Sequence, residues 1–198
     1  MLRRPFLLAA AVLAAVFAAP ALAANPQVEF DTTAGRIRVE LFPDAAPKTV
    51  ANFLDYVKAK HYDGTQFHRV IAGFMIQGGG FTPDFKQKPT KPPVAIESEA
   101  SSKAGLLNVP GTLAMARTGD PNSATAQFFI NVADNKFLNF RSADARGYGY
   151  TVFGKVVDGM DVVDKIAKAP TGAGGPFPKD VPTEKVIINK AVVVDAAK

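Results

Sequence analysis

The 198-residue chain contains no cysteine, no tryptophan and only two histidines. Because cysteine is absent, the protein can form neither a disulfide nor a thiol-dependent active site. His61 and His68 are not accompanied by the clustered ligands that a metal site needs, so the sequence predicts no metal centre and no cofactor. These absences remove several classes of chemistry before any motif is considered.

Motifs for other functional classes are also lacking. A serine hydrolase could use Ser123 with a histidine, but the chain has no Gly-x-Ser-x-Gly elbow. Gly78, Gly79 and Gly80 are not followed by the Gly-Lys-Ser/Thr of a phosphate-binding loop, and three glycines more often permit a tight bend. Basic residues are scattered rather than gathered into a stripe with aromatic residues, so no nucleic-acid binding is expected.

The only long hydrophobic run lies at the start of the chain. Residues 6–19 form this run, Arg3 and Arg4 precede it, and the small-x-small sequence of residues 21–23 follows it. These are the three parts of a secretory signal peptide. A transmembrane anchor is the alternative, but the run is shorter than the ~20 residues that a spanning helix needs, and Pro20 ends it.

We therefore expect a signal peptide at residues 1–23 and a mature domain at residues 24–198. The mature protein is expected in the periplasm, free of the membrane once the signal is cleaved. Loss of the two arginines would lower the formal net charge from +5 to +3. General secretion fits better than twin-arginine export, because the paired arginines lack the rest of such a motif.

The mature region is predicted to be one domain of many short strands and two helices. Apolar and charged residues alternate over residues 36–41, which is the period of a strand with one face in water. Pro47 suits the first turn of a helix. Residues 83–93 and 170–182, rich in proline and glycine, are predicted to be surface loops. The predicted strands are residues 28–32, 36–42, 66–70, 75–78, 112–116, 127–132, 152–157 and 185–194, and the predicted helices are residues 47–60 and 160–167. This pattern indicates a mainly β, mostly antiparallel barrel or sandwich, without choosing between them.

The segment from Phe67 to Gly79 contains the residues best suited to binding a ligand. Arg69 stands five residues before Phe74, six before Met75 and eight before Gln77. The segment offers no nucleophile and no matched acid–base pair. Such a site can bind and polarise a ligand, but it is poorly equipped to break a covalent bond.

A second segment, residues 111–130, carries a related set of side chains. Strand alternation places Gln127 and Phe129 on one face, and Phe128 and Ile130 on the other. We expect Phe128 and Ile130 in the core, with Gln127 and Phe129 facing the residues of the first segment. A core position is the simplest assignment for any single aromatic residue. However, a core would not also carry an arginine and two carboxamides, because unpaired buried polar groups are unfavourable.

Four motifs together carry a family resemblance. They are Phe-His-Arg-x-x-x-x-Phe-Met-x-Gln-Gly-Gly at residues 67–79, Gly-x-Leu-x-Met-Ala at 111–116, Gln-Phe-Phe-Ile at 127–130 and Val-Phe-Gly-Lys-Val-Val at 152–157. With these motifs in this order, the chain resembles the cyclophilin family of peptidyl-prolyl cis-trans isomerases. The resemblance implies a closed eight-stranded antiparallel β-barrel capped by two α-helices, with the active face on the outside. It also implies a monomeric enzyme that rotates X-Pro bonds in unfolded or partly folded exported polypeptides and so assists their folding.

The resemblance also assigns roles to individual residues. Arg69 matches the catalytic arginine, and Gln77 matches the amide that helps to hold the arginine and the substrate. The wall of the proline pocket would consist of Phe74, Met75, Phe129 and Leu138. Ala116, the backbone of Arg117, and Gln127 would run alongside the bound peptide.

Three positions depart from the family's pattern. Phe137 stands where many members have tryptophan, so only weak binding of cyclosporin is expected. Tyr150 takes the place of a common histidine, after an insertion around residues 139–148. Arg117 stands where asparagine is frequent, but only its backbone is needed, so catalysis should survive. Together these changes resemble the bacterial periplasmic branch of the family.

Two binding functions, a carrier of apolar ligands and a chaperone with little catalysis, remain as alternatives. A barrel that carries an apolar ligand inside would have to be hollow, whereas the residues predicted for the interior are bulky. A holdase-type chaperone would use the same groove as the isomerase. Arg69 discriminates the two, because a chaperone acting through apolar contact should tolerate its loss and an isomerase should not.

Overall fold

The computed structural model describes residues 24–144 and 146–194, so the predicted signal peptide lies outside the described residues. The strands are β1 (Gln27–Thr32), β2 (Gly35–Leu41), β3 (Thr65–Ile71), β4 (Met75–Gly78), β5 (Thr112–Met115), β6 (Phe128–Asn131), β7 (Val152–Asp158), β8 (Thr171–Gly174), β9 (Phe177–Pro182) and β10 (Ile187–Val194). The helices are α1 (Pro47–Lys58), α2 (Ser98–Lys103) and α3 (Met160–Ala167), and Lys136–Leu138 forms a single 3₁₀ turn.

Eight of the strands close into a barrel in the order β1-β10-β3-β4-β6-β5-β7-β2. Every neighbouring pair in this order is antiparallel. The pairing of β10 with β3 is short and joins Ile187 to Gln66 and Ile188 to Thr65. The prediction of a closed eight-stranded antiparallel barrel is therefore confirmed.

Aromatic rings fill the inside of the barrel. Phe30, Phe53, Tyr62 and Phe128 have no exposed surface. Phe30 and Phe128 are stacked with their centroids 5.3 Å apart, and Phe53 meets both edge-on. Phe128 thus lies on the face that strand alternation predicts for it. Within the described part of the chain, the interior is occupied by packed side chains, which excludes the hollow, ligand-carrying barrel.

Two helices pack against the barrel at the predicted positions. Helix α1 begins at Pro47, whose fixed φ suits a first helical turn, and it contacts β10. It ends two residues before the predicted end, and Lys60 then adopts a left-handed φ of 55°. Helix α3 has the predicted bounds and follows Gly159, whose φ of 82° favours glycine. None of the helices within the described residues is long and apolar enough to cross a membrane.

Helix α2, the hairpin of β8 and β9, and the 3₁₀ turn were not predicted. Helix α2 is short, and residues 170–182 form the hairpin of β8 and β9 instead of a loop. Strand β9 lies beside β3, outside the closed barrel. The prolines that indicated a loop are compatible with an edge strand, because an edge strand leaves part of its backbone unpaired. Residues 83–93 do form the predicted loop, with one isolated bridge from Phe81 to Gln87 at its start.

Candidate active site

Arg69 reaches the outer face of the barrel because β3 contains a β-bulge. Phe67 and Val70 both belong to the barrel core, although strict alternation would place residues three apart on opposite faces. The register of β3 against β4 shifts between Phe67 and Arg69, so the extra residue, His68, reverses the alternation. Arg69 therefore faces outward, and its partner across the strands is Gln77.

Three polar side chains form a line across this outer face. Nη1 of Arg69 donates to Oε1 of Gln77 at 3.4 Å, and Nε2 of Gln77 donates to Oε1 of Gln127 at 3.0 Å. The first contact is long and therefore weak. Among the described residues, the Arg69 guanidinium forms no ion pair with a carboxylate. Its charge is thus only lightly engaged by the protein.

An apolar cluster lies beside this polar line and is separate from the barrel core. Met75, Phe129 and Leu138 are buried in it, and the partly buried rings of Phe74 and Tyr150 pack against it. Phe129 and Tyr150 meet edge-on, with their centroids 5.6 Å apart. Strand alternation predicts this outward placement of Phe129.

A cavity of about 370 Å³ joins the polar line to the apolar cluster. Its size lies near the lower end of the ~300–1,000 Å³ that is usual for ligand pockets. Ten predicted site residues line it, namely Arg69, Phe74, Met75, Gln77, Ala116, Arg117, Gln127, Phe129, Leu138 and Tyr150. Their roles in binding and catalysis stay predictions, but the structure brings them all to one groove.

Phe137 is the predicted site residue that does not line the cavity. It lies in the 3₁₀ turn, which buries Leu138 and leaves the Phe137 side chain 62% exposed. Its ring is stacked on Phe74, with centroids 5.6 Å apart and an interplanar angle of 24°. Phe137 therefore forms the rim of the groove.

A network of buried asparagines holds the two loops that carry Phe74 and Leu138. Nδ2 of Asn135 donates to the carbonyl oxygen of Phe74 at 2.9 Å and to Oδ1 of Asn131 at 2.7 Å. Nδ2 of Asn108 donates to the carbonyl oxygen of Leu138 at 3.1 Å. These residues were not predicted, because an asparagine in a loop or at the end of a strand gives no signal of a buried tertiary contact.

The side chain of Arg117 contacts Tyr150 and Gly149, which the sequence did not predict. Its guanidinium lies over the Tyr150 ring, 4.8 Å from the centroid, and its Nε donates to the carbonyl oxygen of Gly149 at 2.9 Å. This arrangement fixes Tyr150 against Phe129. The Arg117 side chain thus supports the groove, and the expectation that catalysis needs only its backbone stays a prediction.

Three aromatic residues line the cavity without having been predicted, His68, Phe81 and Phe177. His68 is 2% exposed, and its ring contacts both of the others, with centroids 4.7 Å from Phe81 and 5.4 Å from Phe177. Burial lowers the pKa of His68 to about 4. Its ring is therefore uncharged near neutral pH.

The chemistry available to this groove is binding and polarisation. Neutral His68 is too weak a base to take up a proton near pH 7. Within residues 24–144 and 146–194, no group of three or more His, Cys, Asp or Glu side chains could hold a metal ion. What the groove presents is a permanent positive charge beside an apolar pocket.

Known proteins with similar sequences and structures identify the family. The model of the protein family described as "Cyclophilin type peptidyl-prolyl cis-trans isomerase/CLD" matches residues 27–193 of this chain. The chain is 58% identical over 166 residues to peptidyl-prolyl cis-trans isomerase B of Escherichia coli (strain K12), covering 84% of this chain and 98% of that protein. It is 57% identical over 167 residues to the peptidyl-prolyl cis-trans isomerase cyp18 of Streptomyces antibioticus, covering 84% and 98%.

A solved structure agrees with these sequence matches. The cyclophilin type peptidyl-prolyl cis-trans isomerase of Cryptosporidium parvum, crystallised in the presence of the dipeptide Ala-Pro, superposes with a TM-score of 0.66. It is 27% identical in sequence, and the match covers 86% of this chain and 99% of that chain. With its closed barrel and the motif residues gathered in one outer groove, this chain belongs to the cyclophilin family and is a peptidyl-prolyl cis-trans isomerase.

Proposed function

We propose that Arg69 accelerates X-Pro rotation by donating a hydrogen bond to the imide nitrogen of the twisted bond. In this mechanism the proline ring occupies the apolar pocket of Phe74, Met75, Phe129 and Leu138. The chain before the proline then rotates while the ring stays fixed. Ala116 and Gln127 lie where they can bind the backbone of the same polypeptide.

The barrier explains why a hydrogen-bond donor is effective. Rotation about an X-Pro bond sacrifices amide resonance, with a barrier of ~18–20 kcal/mol, and without a catalyst takes tens to hundreds of seconds. In the twisted state the imide nitrogen becomes pyramidal and gains a lone pair that neither planar isomer offers. A donor aimed at this nitrogen binds the transition state more tightly than the ground state, which is the condition for catalysis.

The lightly engaged guanidinium of Arg69 is the single observation that carries this proposal. Arginine remains charged throughout the working pH range, so it can donate without changing its protonation state. Gln127 contacts Gln77, and Gln77 in turn contacts Arg69, so the line of amides limits the orientations that the guanidinium adopts. The neighbouring apolar side chains exclude water, which strengthens the electrostatic effect of the charge.

We further propose that the substrates are unfolded or partly folded polypeptides in the periplasm, whose folding the enzyme assists. The pattern of residues 1–23 supports export, and the Ala-Pro dipeptide used with the solved relative supports a proline-containing ligand. Mass spectrometry of the native protein tests the location. A mature chain that begins at Ala24 in the periplasmic fraction is expected, and intact residues 1–23 in a membrane fraction would contradict it.

The test of the mechanism is a protease-coupled assay on an X-Pro peptide. Arg69→Ala should greatly lower kcat/KM, and Arg69→Lys should recover only part of it, because an ammonium lacks the planar fork of a guanidinium. Arg36→Ala, which removes an exposed arginine from β2, serves as the matched control and should leave kcat/KM unchanged. Full activity of Arg69→Ala would refute the mechanism and favour apolar chaperone-type binding.

A further inference from the structure

His68, Phe81 and Phe177 form a second apolar surface in the groove, which we name the aromatic shelf. Phe81 and Phe177 meet edge-on with centroids 5.2 Å apart, and both contact the His68 ring. None of the three belongs to the apolar cluster of the proline pocket. The shelf nevertheless lines the same cavity as Arg69. The groove thus has two apolar regions, and the proposed mechanism uses only one of them.

The hairpin outside the barrel positions Phe177, one of the two partly buried rings of the shelf. Phe177 is the first residue of β9, which lies beside β3, the strand that contains His68. Phe85 packs on the turn of the hairpin, because a side-chain carbon added at Gly175 would meet the Phe85 ring. The centroid of the Phe85 ring is 6.2 Å from that of Phe177. Phe177 is therefore held in place and remains only partly buried beside the cavity.

The surface chemistry of the shelf suits a large apolar side chain. Two of its members are phenylalanines, and the third is a histidine ring that burial keeps uncharged near neutral pH. The nearest charge in the cavity is that of Arg69, which follows His68 in the chain. Aromatic rings at these separations favour another ring, placed edge-on or offset.

A substrate that reaches Arg69 also reaches the shelf. An unfolded polypeptide continues on both sides of the proline, and each extended residue spans about 3.3–3.6 Å. His68, Phe81 and Phe177 line the same cavity as Arg69, so the shelf lies within the reach of a residue one or two positions from the proline. The cavity of about 370 Å³ is continuous from the proline pocket to the shelf.

We propose that the aromatic shelf is a specificity subsite that binds a large apolar side chain, aromatic for preference, one or two residues from the substrate proline. The occupant is part of the same polypeptide whose X-Pro bond is isomerised. The inference rests on the proposed function only in requiring that the groove binds a peptide. It does not depend on how Arg69 acts.

The experiment compares peptides that each contain one X-Pro bond in an alanine background. Phenylalanine is placed in turn at each of the two positions before and the two positions after the proline, and kcat/KM is measured for each peptide by NMR exchange. For at least one position, the wild-type enzyme should prefer the phenylalanine peptide to the all-alanine peptide by about threefold to tenfold. Phe177→Ala should reduce this preference to about one, and Phe177→Leu should leave an intermediate value.

Two controls separate the subsite from the catalytic mechanism. Phe42→Ala, which removes a half-buried ring outside the groove, should preserve the wild-type preference. Arg69→Ala should lower kcat/KM for all peptides but keep the ratio between the phenylalanine and the all-alanine peptide. Failure of the arginine mechanism can therefore be distinguished from failure of the subsite. The subsite is refuted if no position shows a preference in the wild type, or if the preference persists in both Phe177 variants.

Discussion

At the scale of single residues, the decisive feature is the reversal of strand alternation at His68. Periodicity alone places Arg69 on the same face as Phe67, which is in the core. The bulge between them turns the arginine outward, opposite Gln77. No local property of the sequence announces a bulge, so only the resemblance to cyclophilins predicted that Arg69 would face a groove.

Gly80 allows the line of amides to form. A side-chain carbon added at this position would lie 2.5 Å from Cγ of Gln127 and 2.7 Å from its Nε2. Gly80→Ala should therefore displace Gln127 and break its hydrogen bond to Gln77. We expect kcat/KM to fall about fivefold, the equivalent of ~1 kcal/mol for one hydrogen bond.

The matched control for this substitution is Gly119→Ala. A side-chain carbon at Gly119 would meet nothing within 4 Å, so its kcat/KM should equal that of the wild type. Both variants should retain nearly the wild-type melting temperature, because the Gln127 side chain can move. Unchanged kcat/KM in Gly80→Ala would show that the position of Gln127 has no part in catalysis.

Phe137 should determine how tightly cyclosporin binds. Because a benzyl ring offers no N–H donor, we expect weaker inhibition than in relatives with tryptophan at this position. Phe137→Trp should tighten binding by about fivefold, or ~1 kcal/mol, with little change in peptide turnover. Calorimetric titration measures the effect. Phe140→Trp, at another partly exposed ring, is the control, and equal affinity of the two variants would place the drug elsewhere.

At the scale of elements, the groove depends on loops that tertiary contacts hold in place. The sequence predicted most barrel strands to within one or two residues, because their alternation is regular. It did not predict the hairpin of β8 and β9, whose glycines and prolines resemble those of a loop. The shelf residue Phe177 was missed for the same reason. Its role arises only when β9 packs beside β3.

Asn135 should be needed to hold the proline pocket. Asn135→Ala removes the donor that satisfies both the carbonyl of Phe74 and the side chain of Asn131. Leaving such buried acceptors unpaired should lower the free energy of unfolding by about 1–3 kcal/mol. Urea denaturation measures this loss. Asn189→Ala, at an exposed asparagine of β10, is the control, and equal stability of the two variants would exclude a supporting role for Asn135.

At the scale of the whole molecule, the stability of the fold should depend on the ionisation of buried histidine. Burial lowers the pKa of His68 from 6.5 to about 4 in the folded protein. The unfolded chain therefore binds a proton that the folded protein does not as the pH falls through this interval. This ionisation of His68 does not affect the free energy of unfolding well above pH 6.5. It should lower that free energy by up to about 3 kcal/mol as the pH falls to 4.

Denaturation at several pH values tests this dependence. Burial also lowers the pKa of His61, so this residue adds to the loss in the same direction. His68→Phe removes one ionisation and keeps an aromatic ring, so the slope of stability against pH between 6.5 and 4 should become shallower. A variant with the wild-type slope would show that His68 is protonated in the folded protein.

The fold as a whole was more predictable than the details of its site. Alternation correctly assigned Phe128 to the core and Phe129 to the outer face, since a regular strand has two defined faces. Periodicity could not distinguish a barrel from a sandwich, because the closure of a barrel depends on which strands pair. The contact of Arg117 with Tyr150 and the asparagine network are also products of tertiary structure.

The central claim is that Arg69 stabilises the twisted imide more than the planar peptide. Arg69→Ala should therefore lower kcat/KM by two to three orders of magnitude, or ~2.7–4 kcal/mol, by analogy with the loss of one preorganised donor. The most direct measurement is NMR titration and exchange on one X-Pro peptide, which gives kcat/KM and the dissociation constant together. We predict that the dissociation constant changes by less than about fivefold, because the proline pocket remains intact. A dissociation constant that rises as much as kcat/KM falls would contradict the account, since Arg69 would then only hold the substrate.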